Sequence, residues 1–148
     1  MEWKWLRFDQ LSVNQLYAML QVRQEVFVVE QNCIYLDADG VDQHSWHLMA
    51  MKEEAVLAYC RVVDPGIKYD ELSIGRVLTA QSARGTGLGK ILLQNAIDNI
   101  EHNIGAVPIR ISAQQYLEKY YLGFGFKTVS EPYDEDGIPH IEMLRSCD

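Results

Sequence analysis

Residues Arg84 to Gly89, RGTGLG, constrain the fold more tightly than any other stretch of the chain. They lie between an apolar, strand-like run, Ile74 to Thr79, and a helical pattern that starts at Leu88. Glycines at alternating positions strip side chains from a turn. Several backbone N–H groups can then converge on one point, while the next helix adds its positive N-terminal end. Such a turn is built to hold an anion. A pyrophosphate suits it, because diffuse charge can be shared among main-chain donors without a buried lysine. The spacing is neither the GxxxxGK of a P-loop nor the GxGxxG of a Rossmann turn with its acidic residue about 20 positions on. The bland alternative is a glycine-rich strand-to-helix connection with no ligand.

The remaining chain sets the context for that loop. Its 148 residues fit one domain, spanning 1–148, with room for a real core. No apolar run approaches the length of about 18 residues that spans a bilayer, and MEWKWLRFDQ lacks the basic-then-apolar layout of a signal peptide. The expectation is a cytoplasmic protein with no membrane partner. Cys33, Cys60 and Cys147 are odd in number, far apart and free of any CxxC pair, which points away from a disulfide framework and from a zinc site. A net charge of -8 argues against nucleic acid and is compatible with a cationic substrate such as an amine.

Trp3, Trp5, Leu6 and Phe8 read as a first strand, and Ser12 with Gln15 forms a capping-box start for a helix from about Val13 to Val29. Arg23, Glu25 and Glu30 read as its solvated face. Asn32 to Gln43 is an acidic loop carrying Asp37, Asp39 and Asp42, without the glycine and glutamate positions of a calcium loop. Over an active site it would attract an ammonium group; otherwise it is an exposed turn. His44 to Met51 and Ala55 to Val63 read as a hairpin, and Leu72 to Thr79 as the strand feeding the glycine loop. Arg76 interrupts that strand as either a pairing partner or a substrate ligand. A helix from Leu88 ends before Gly105, a strand covers Val107 to Ile111, and a short helix covers Gln114 to Tyr121. Lys127 to Ser130 and Ile138 to Leu144 close the chain as strands, with DEDG between them as a turn.

Two separated motifs now agree. Besides RGTGLG, the segment Tyr120 to Phe126, YYLGFGF, resembles the pattern of the GCN5-related N-acetyltransferases, the GNAT superfamily, in which a tyrosine precedes a terminal Gly-Phe by a few residues. VFVVEQNCIYLDADG and DEDGIPHI look more narrowly like its ElaA-type branch. The resemblance implies an α/β (α+β) fold with a mixed sheet of about six to seven strands and helices on both faces. The sheet would splay between two central parallel strands to admit acetyl-CoA. Val77, Leu78 and Thr79 match the segment that pairs with the pantetheine arm, and Arg84, Gly85, Thr86, Gly87, Leu88 and Gly89 match the pyrophosphate loop, with Lys90 at its edge. Gln114 falls where many relatives carry an asparagine against the cofactor.

Tyr121 aligns with the family's general acid. A phenol with an ordinary pKa near 10 is protonated at neutral pH and able to donate to a departing thiolate. Tyr116 and Tyr120 are neighbouring aromatics that the same pattern does not select. The motif does not fix the general base, for which Glu30, His47 and His140 are the candidates. The reading is an N-acetyltransferase that moves an acetyl group from acetyl-CoA to a small-molecule or peptide amine by direct attack, with no metal. The alternative is a non-catalytic acyl-CoA binding or sensing module. Oligomeric state is left open, and a homodimer is admitted.

Overall fold

The computed structural model describes residues 1–147; the predicted domain limit at residue 148 lies outside them. Strand β1 (Glu2–Arg7) leads through a short turn to α1 (Val13–Arg23). The predicted capping box starts this helix: Ser12 Oγ accepts from the Gln15 N–H at 3.0 Å, and the Gln15 side chain accepts from the Ser12 N–H at 2.8 Å. From Gln24 to Glu30 the chain continues as wider, π-helical winding. Val26, Phe27, Val28 and Val29 are all weak α-helix formers, and apolar periodicity alone does not distinguish the two windings.

Strands β2 (Ser45–Lys52) and β3 (Ala55–Val63) form the predicted hairpin, and β4 (Leu72–Thr79) has the predicted bounds. Helix α2 (Leu88–Asn103) then crosses over to β5 (Ile109–Gln114), which lies parallel to β4. β5 begins later than its predicted start at Val107; Pro108 in between cannot donate to a ladder. Helix α3 (Glu118–Leu122) follows, then β6 (Lys127–Thr128), β7 (Tyr133–Glu135) and β8 (Ile138–Arg145). The sheet is mixed, in the order β1-β2-β3-β4-β5-β8-β6, with β7 also paired to β8. It has eight strands; β7 takes in Asp134 and Glu135, which the sequence placed in a turn. Every pairing is antiparallel except β4 with β5.

Both faces of the sheet are covered. Leu92, Leu93, Ala96, Ile97 and Ile100 of α2 pack on one face with Leu48, Cys60, Val62 and Ile111. Met19, Val22 and Val26 pack on the other with Met49, Tyr59 and Leu78. Adjacent β2 residues, Leu48 and Met49, therefore point to opposite cores, as a pleated strand requires.

Arg23, expected on a solvated face, is fully buried at 0% exposure. Its Nε donates to Asp37 at 2.9 Å and its Nη1 to Asp42 at 2.7 Å. Arg61, 1% exposed, donates to the same Asp42 at 3.0 Å and grips Asp39 with both terminal nitrogens at 2.9 and 3.0 Å. Arg76 completes the set by donating to Asp37 at 3.0 Å and Asp39 at 3.3 Å. Three cations and three anions thus fasten the acidic loop to α1, β3 and β4, and Arg76 is a pairing partner.

Removing one member strands its partners in a poorly hydrated place, so Asp42→Ala is expected to lower the free energy of unfolding by about 3–5 kcal/mol in urea titrations. The same pairs set an acid limit. Burial raises the Asp39 carboxyl, but the Arg61 hydrogen bond and charge outweigh it and hold the group at about 2, below its ordinary 3.8; Asp42 is lowered by Arg23 and Arg61 against the same opposition. Depressed carboxylates stabilise the fold above 3.8 and lose that contribution as pH falls toward about 2, the window in which circular dichroism should record acid unfolding.

Candidate functional site

β4 and β5 pair only at Leu72 with Ile109 and Ser73 with Arg110. Beyond Ser73 the two strands part, and their facing backbone edges are left without ladder partners. The gap opens into a cavity of about 520 Å³ whose walls include Gly75, Arg76 and Val77 of β4, Ile111 to Gln114 of β5, and Tyr121. A volume of this size suits a small-molecule site.

A bulge in β4 lies on this wall. Tyr59 pairs with Leu78 and Arg61 with Gly75, so the single β3 residue Cys60 opposes both Arg76 and Val77. The extra residue reverses the pleat: Leu72, Ile74 and Val77 face the α2 core, whereas Leu78 faces the α1 core. Arg76 sits at φ +51°, a left-handed conformation that disfavours a non-glycine residue. Its guanidinium, tied to Asp37 and Asp39 and placed 5.3 Å over the Tyr35 ring, holds the bulge in place. Along this stretch the β4 edge toward β5 has no ladder partner, and its backbone groups can pair with an extended ligand or a developing oxyanion.

After Thr79 the chain enters the glycine loop. Gly85 and Gly87 take φ +79° and +80°, and Gly87 is the N-cap of α2 with no side chain to satisfy the first turn. The first-turn N–H groups and the helix dipole are therefore offered to an anion, and the loop fits a pyrophosphate on this chain's own geometry. Thr86 Oγ1 donates to the Ala83 carbonyl at 2.6 Å and Arg84 Nε to the Thr79 carbonyl at 3.2 Å, which brace the turn. Leu88 is buried in the α2 core, so it anchors the helix start, while Lys90 is exposed beside it. Arg84 to Gly89 do not line the cavity.

The other predicted residues separate clearly. Tyr121 is buried, lines the cavity and makes no hydrogen bond among the described residues, so its hydroxyl is available; burial pushes its pKa up to about 12. Tyr116 also lines the cavity but is largely exposed, and Tyr120 packs edge-on against Tyr121 and Phe124 outside it. His140 lines the cavity with Gln114, its register partner across β5 and β8. Its Nδ1–H donates to the Ile138 carbonyl at 2.8 Å, and its Nε2 lies 3.0 Å from the Glu135 carboxylate.

Two base candidates are placed elsewhere. His47 is 0% exposed, accepts from the Tyr59 hydroxyl at 2.6 Å on Nδ1 and donates from Nε2 to the Asp42 carbonyl at 2.9 Å. Burial keeps it neutral by lowering its pKa, and with both nitrogens committed it acts as a peg under the charged loop. Glu30 does not line the cavity; it pairs with Arg84 Nη2 at 2.8 Å and so belongs to the glycine loop. The acidic loop does reach the cavity, through Tyr35, Leu36 and Asp39, yet its three carboxylates are engaged by arginines and do not form an open ammonium trap. Sequence reading missed Arg61, Lys68, Tyr69 and Ser112 as cavity residues. Ser112 was within reach of it, since a polar residue alternates there with Ile111 and Ala113 on a strand beside the gap.

A family model described as an acetyltransferase (GNAT) domain matches residues 11–147. The chain belongs to the GNAT family. Within that family it is 41% identical to protein ElaA of Escherichia coli over 97% of this chain and 95% of ElaA. It is 44% identical to a UPF0039 protein of Synechocystis over 96% of this chain and 93% of that protein. The crystal structure of an acyl-CoA N-acyltransferase from Pseudomonas aeruginosa superimposes with a TM-score of 0.94 at 42% identity, covering 99% of this chain and 100% of that one. The E. coli ElaA structure gives 0.91 at 40% identity, covering 98% and 99%. GNAT membership supports acyl transfer in general.

In this GNAT chain the three loop glycines are not equivalent. A methyl group at Gly89 would meet Thr79 and Tyr120 at 3.8 and 3.9 Å, ordinary contact distances, whereas Gly87 needs its positive φ. Calorimetry with coenzyme A should therefore find Gly89→Ala near wild type and Gly87→Ala weakened by about fivefold or more. Glu30→Gln removes the carboxylate competing for Arg84; it should tighten coenzyme A by about two- to fivefold and leave kcat unchanged. A hundredfold fall in kcat with unaltered affinity would return Glu30 to the role of base.

Proposed function

We propose that this chain, taken as one catalytic domain over residues 1–148, transfers the acetyl group of acetyl-CoA to a primary amine by direct attack. One observation carries the reading: a single cavity between the parted strands is lined by the β4 bulge, by the unpartnered phenol of Tyr121 and by His140. Val77, Leu78 and Thr79 would meet the pantetheine arm, and Arg84 to Gly89 with Lys90 the pyrophosphate; Gln114 faces the cavity where the arm would pass. The neighbouring aminoglycoside 6'-N-acetyltransferase, solved with coenzyme A, shares the fold with a TM-score of 0.72 at 13% identity.

In the proposed step the amine nitrogen forms a bond to the thioester carbon, and the C–S bond breaks. The nitrogen's proton passes to His140 Nε2, directly or through one water. With Nδ1–H held by the Ile138 carbonyl, Nε2 carries the lone pair; the half-exposed Glu135 side chain turns aside to admit the amine or the water, and its charge stabilises the imidazolium that forms. The Tyr121 hydroxyl donates its proton to the departing thiolate. Backbone N–H groups at the bulge take the developing negative charge on the thioester oxygen. The products are an N-acetyl amide and free coenzyme A thiol. No covalent enzyme intermediate is invoked; Cys60 is buried and burial raises its thiol pKa to about 12, which makes it a core residue.

Tyr121→Phe should lower kcat by about 10²–10⁴-fold while coenzyme A affinity changes little. Because the phenol titrates near 12, it stays a donor throughout the neutral range, and no alkaline loss of rate below about pH 10 should trace to it. His140→Gln should lower kcat by about 10²-fold or more while coenzyme A affinity changes little. Thiol release with an amine panel decides between the enzyme and a binding module: tight acetyl-CoA binding without release from any amine establishes the module.

A further inference from the structure

β4 and β5 still pair at Leu72 and Ser73, and Lys68 and Tyr69 from the loop just before β4 line the cavity together with Ser73. That loop is braced from both sides. Arg7 binds both oxygens of Asp64 at 2.8 and 2.9 Å, Arg110 binds both oxygens of Glu71 at 3.0 and 3.1 Å and lies over the Tyr69 ring, and the Gly66 N–H donates to the Tyr69 carbonyl at 2.7 Å. Lys68 is thus displayed on fixed backbone, yet among the described residues it has no ion pair or hydrogen bond.

The charges around it make this informative. Arg61, Arg76 and Asp39 line the cavity as members of a set with three charges of each sign, and Glu135 is paired to His140. Among the described residues Lys68 is the only cation on the walls without an ionic partner; Asp136 has none either, and Glu135 has none while His140 is neutral. Desolvation lowers the Lys68 pKa, and the charges of Arg61 and Arg76 lower it further against Asp39 and Glu135, which raise it.

We infer that the acceptor amine carries a carboxylate, which Lys68 binds at the wall it forms with Tyr69 and Ser73 while the amino group faces the bulge and His140. This rests on the catalytic reading above. Lys68, the one wall cation without a partner, matches one negative charge; a phosphate dianion, with twice that charge, would be repelled more strongly by Glu135 and Asp136 than a carboxylate would, and a polyamine would place a second cation against Lys68.

The test measures coenzyme A release from acetyl-CoA with α-amino acids and their uncharged amides, and with a diamine and an aminoalkyl phosphate as controls. Wild type should favour the acids by about tenfold or more in kcat/KM. Lys68→Ala should erase that preference while leaving turnover of the amides intact, Lys68→Glu should reverse it, and Lys68→Arg should retain it. Equal use of acids and amides, preference for the diamine or the phosphate, or an unaltered preference in Lys68→Ala overturns the inference alone. Absence of release from every amine overturns it together with the catalytic reading.

Discussion

Six side chains, Arg23, Arg61 and Arg76 with Asp37, Asp39 and Asp42, form the interaction on which the site's shape depends. Taking a guanidinium or a carboxylate out of water costs several kcal/mol, and only a fully paired arrangement offsets it. Each carboxylate here meets two arginines, so a loop with few apolar residues to bury is held as firmly as a strand. His47 supports it from below by donating to the Asp42 carbonyl, and Tyr59 fixes the tautomer by donating to the other ring nitrogen. A charged layer therefore replaces the hydrophobic packing that an ordinary loop lacks.

The layer does more than hold a loop, because one of its arginines is the strained residue of β4. Arg76 adopts a left-handed backbone that costs on the order of 1 kcal/mol, and its two aspartate contacts and the Tyr35 ring stabilise it there. The bulge reverses the pleat between Ile74 and Val77, just past the last β4–β5 pair, where the β4 edge toward β5 has no ladder partner. The charged loop, the bulge and the parted strands are thus one mechanical unit. Its α1-side anchor, Arg23, is followed directly by the π-helical turns that bring Phe27 to the cavity wall and Glu30 to Arg84.

Local rules were enough to read much of this in the sequence. The RGTGLG turn, the Ser12–Gln15 capping box, the β2–β3 hairpin and the bounds of β4 each depend on residues within a few positions of one another. What was hidden depends on partners far along the chain. Arg23 looks like a solvent-facing residue until Asp37 and Asp42 are brought to it, and the short strand β7 exists because β8 offers it a ladder, since YDE has no strand pattern of its own. Arg76 was legible as an interruption of β4, but its partners were not. Among the histidines, sequence could not separate His47 from His140, since burial and the register across β8 decide which one reaches the cavity.

The net charge of -8 shows why a global property does not carry over to a site. It is compatible with a cationic substrate, and an acidic loop lies at the cavity, so the two together would argue for an electrostatic trap. The geometry dissolves that argument, because every carboxylate of the loop is matched to a guanidinium and the excess negative charge of the chain lies outside this set. Within about 10 Å, the screening distance at 0.1 M salt, paired and unpaired local groups outweigh the sum over the molecule. Recognition beside Ser73 in the cavity is then governed by Lys68, whose sign is opposite to that of the protein as a whole.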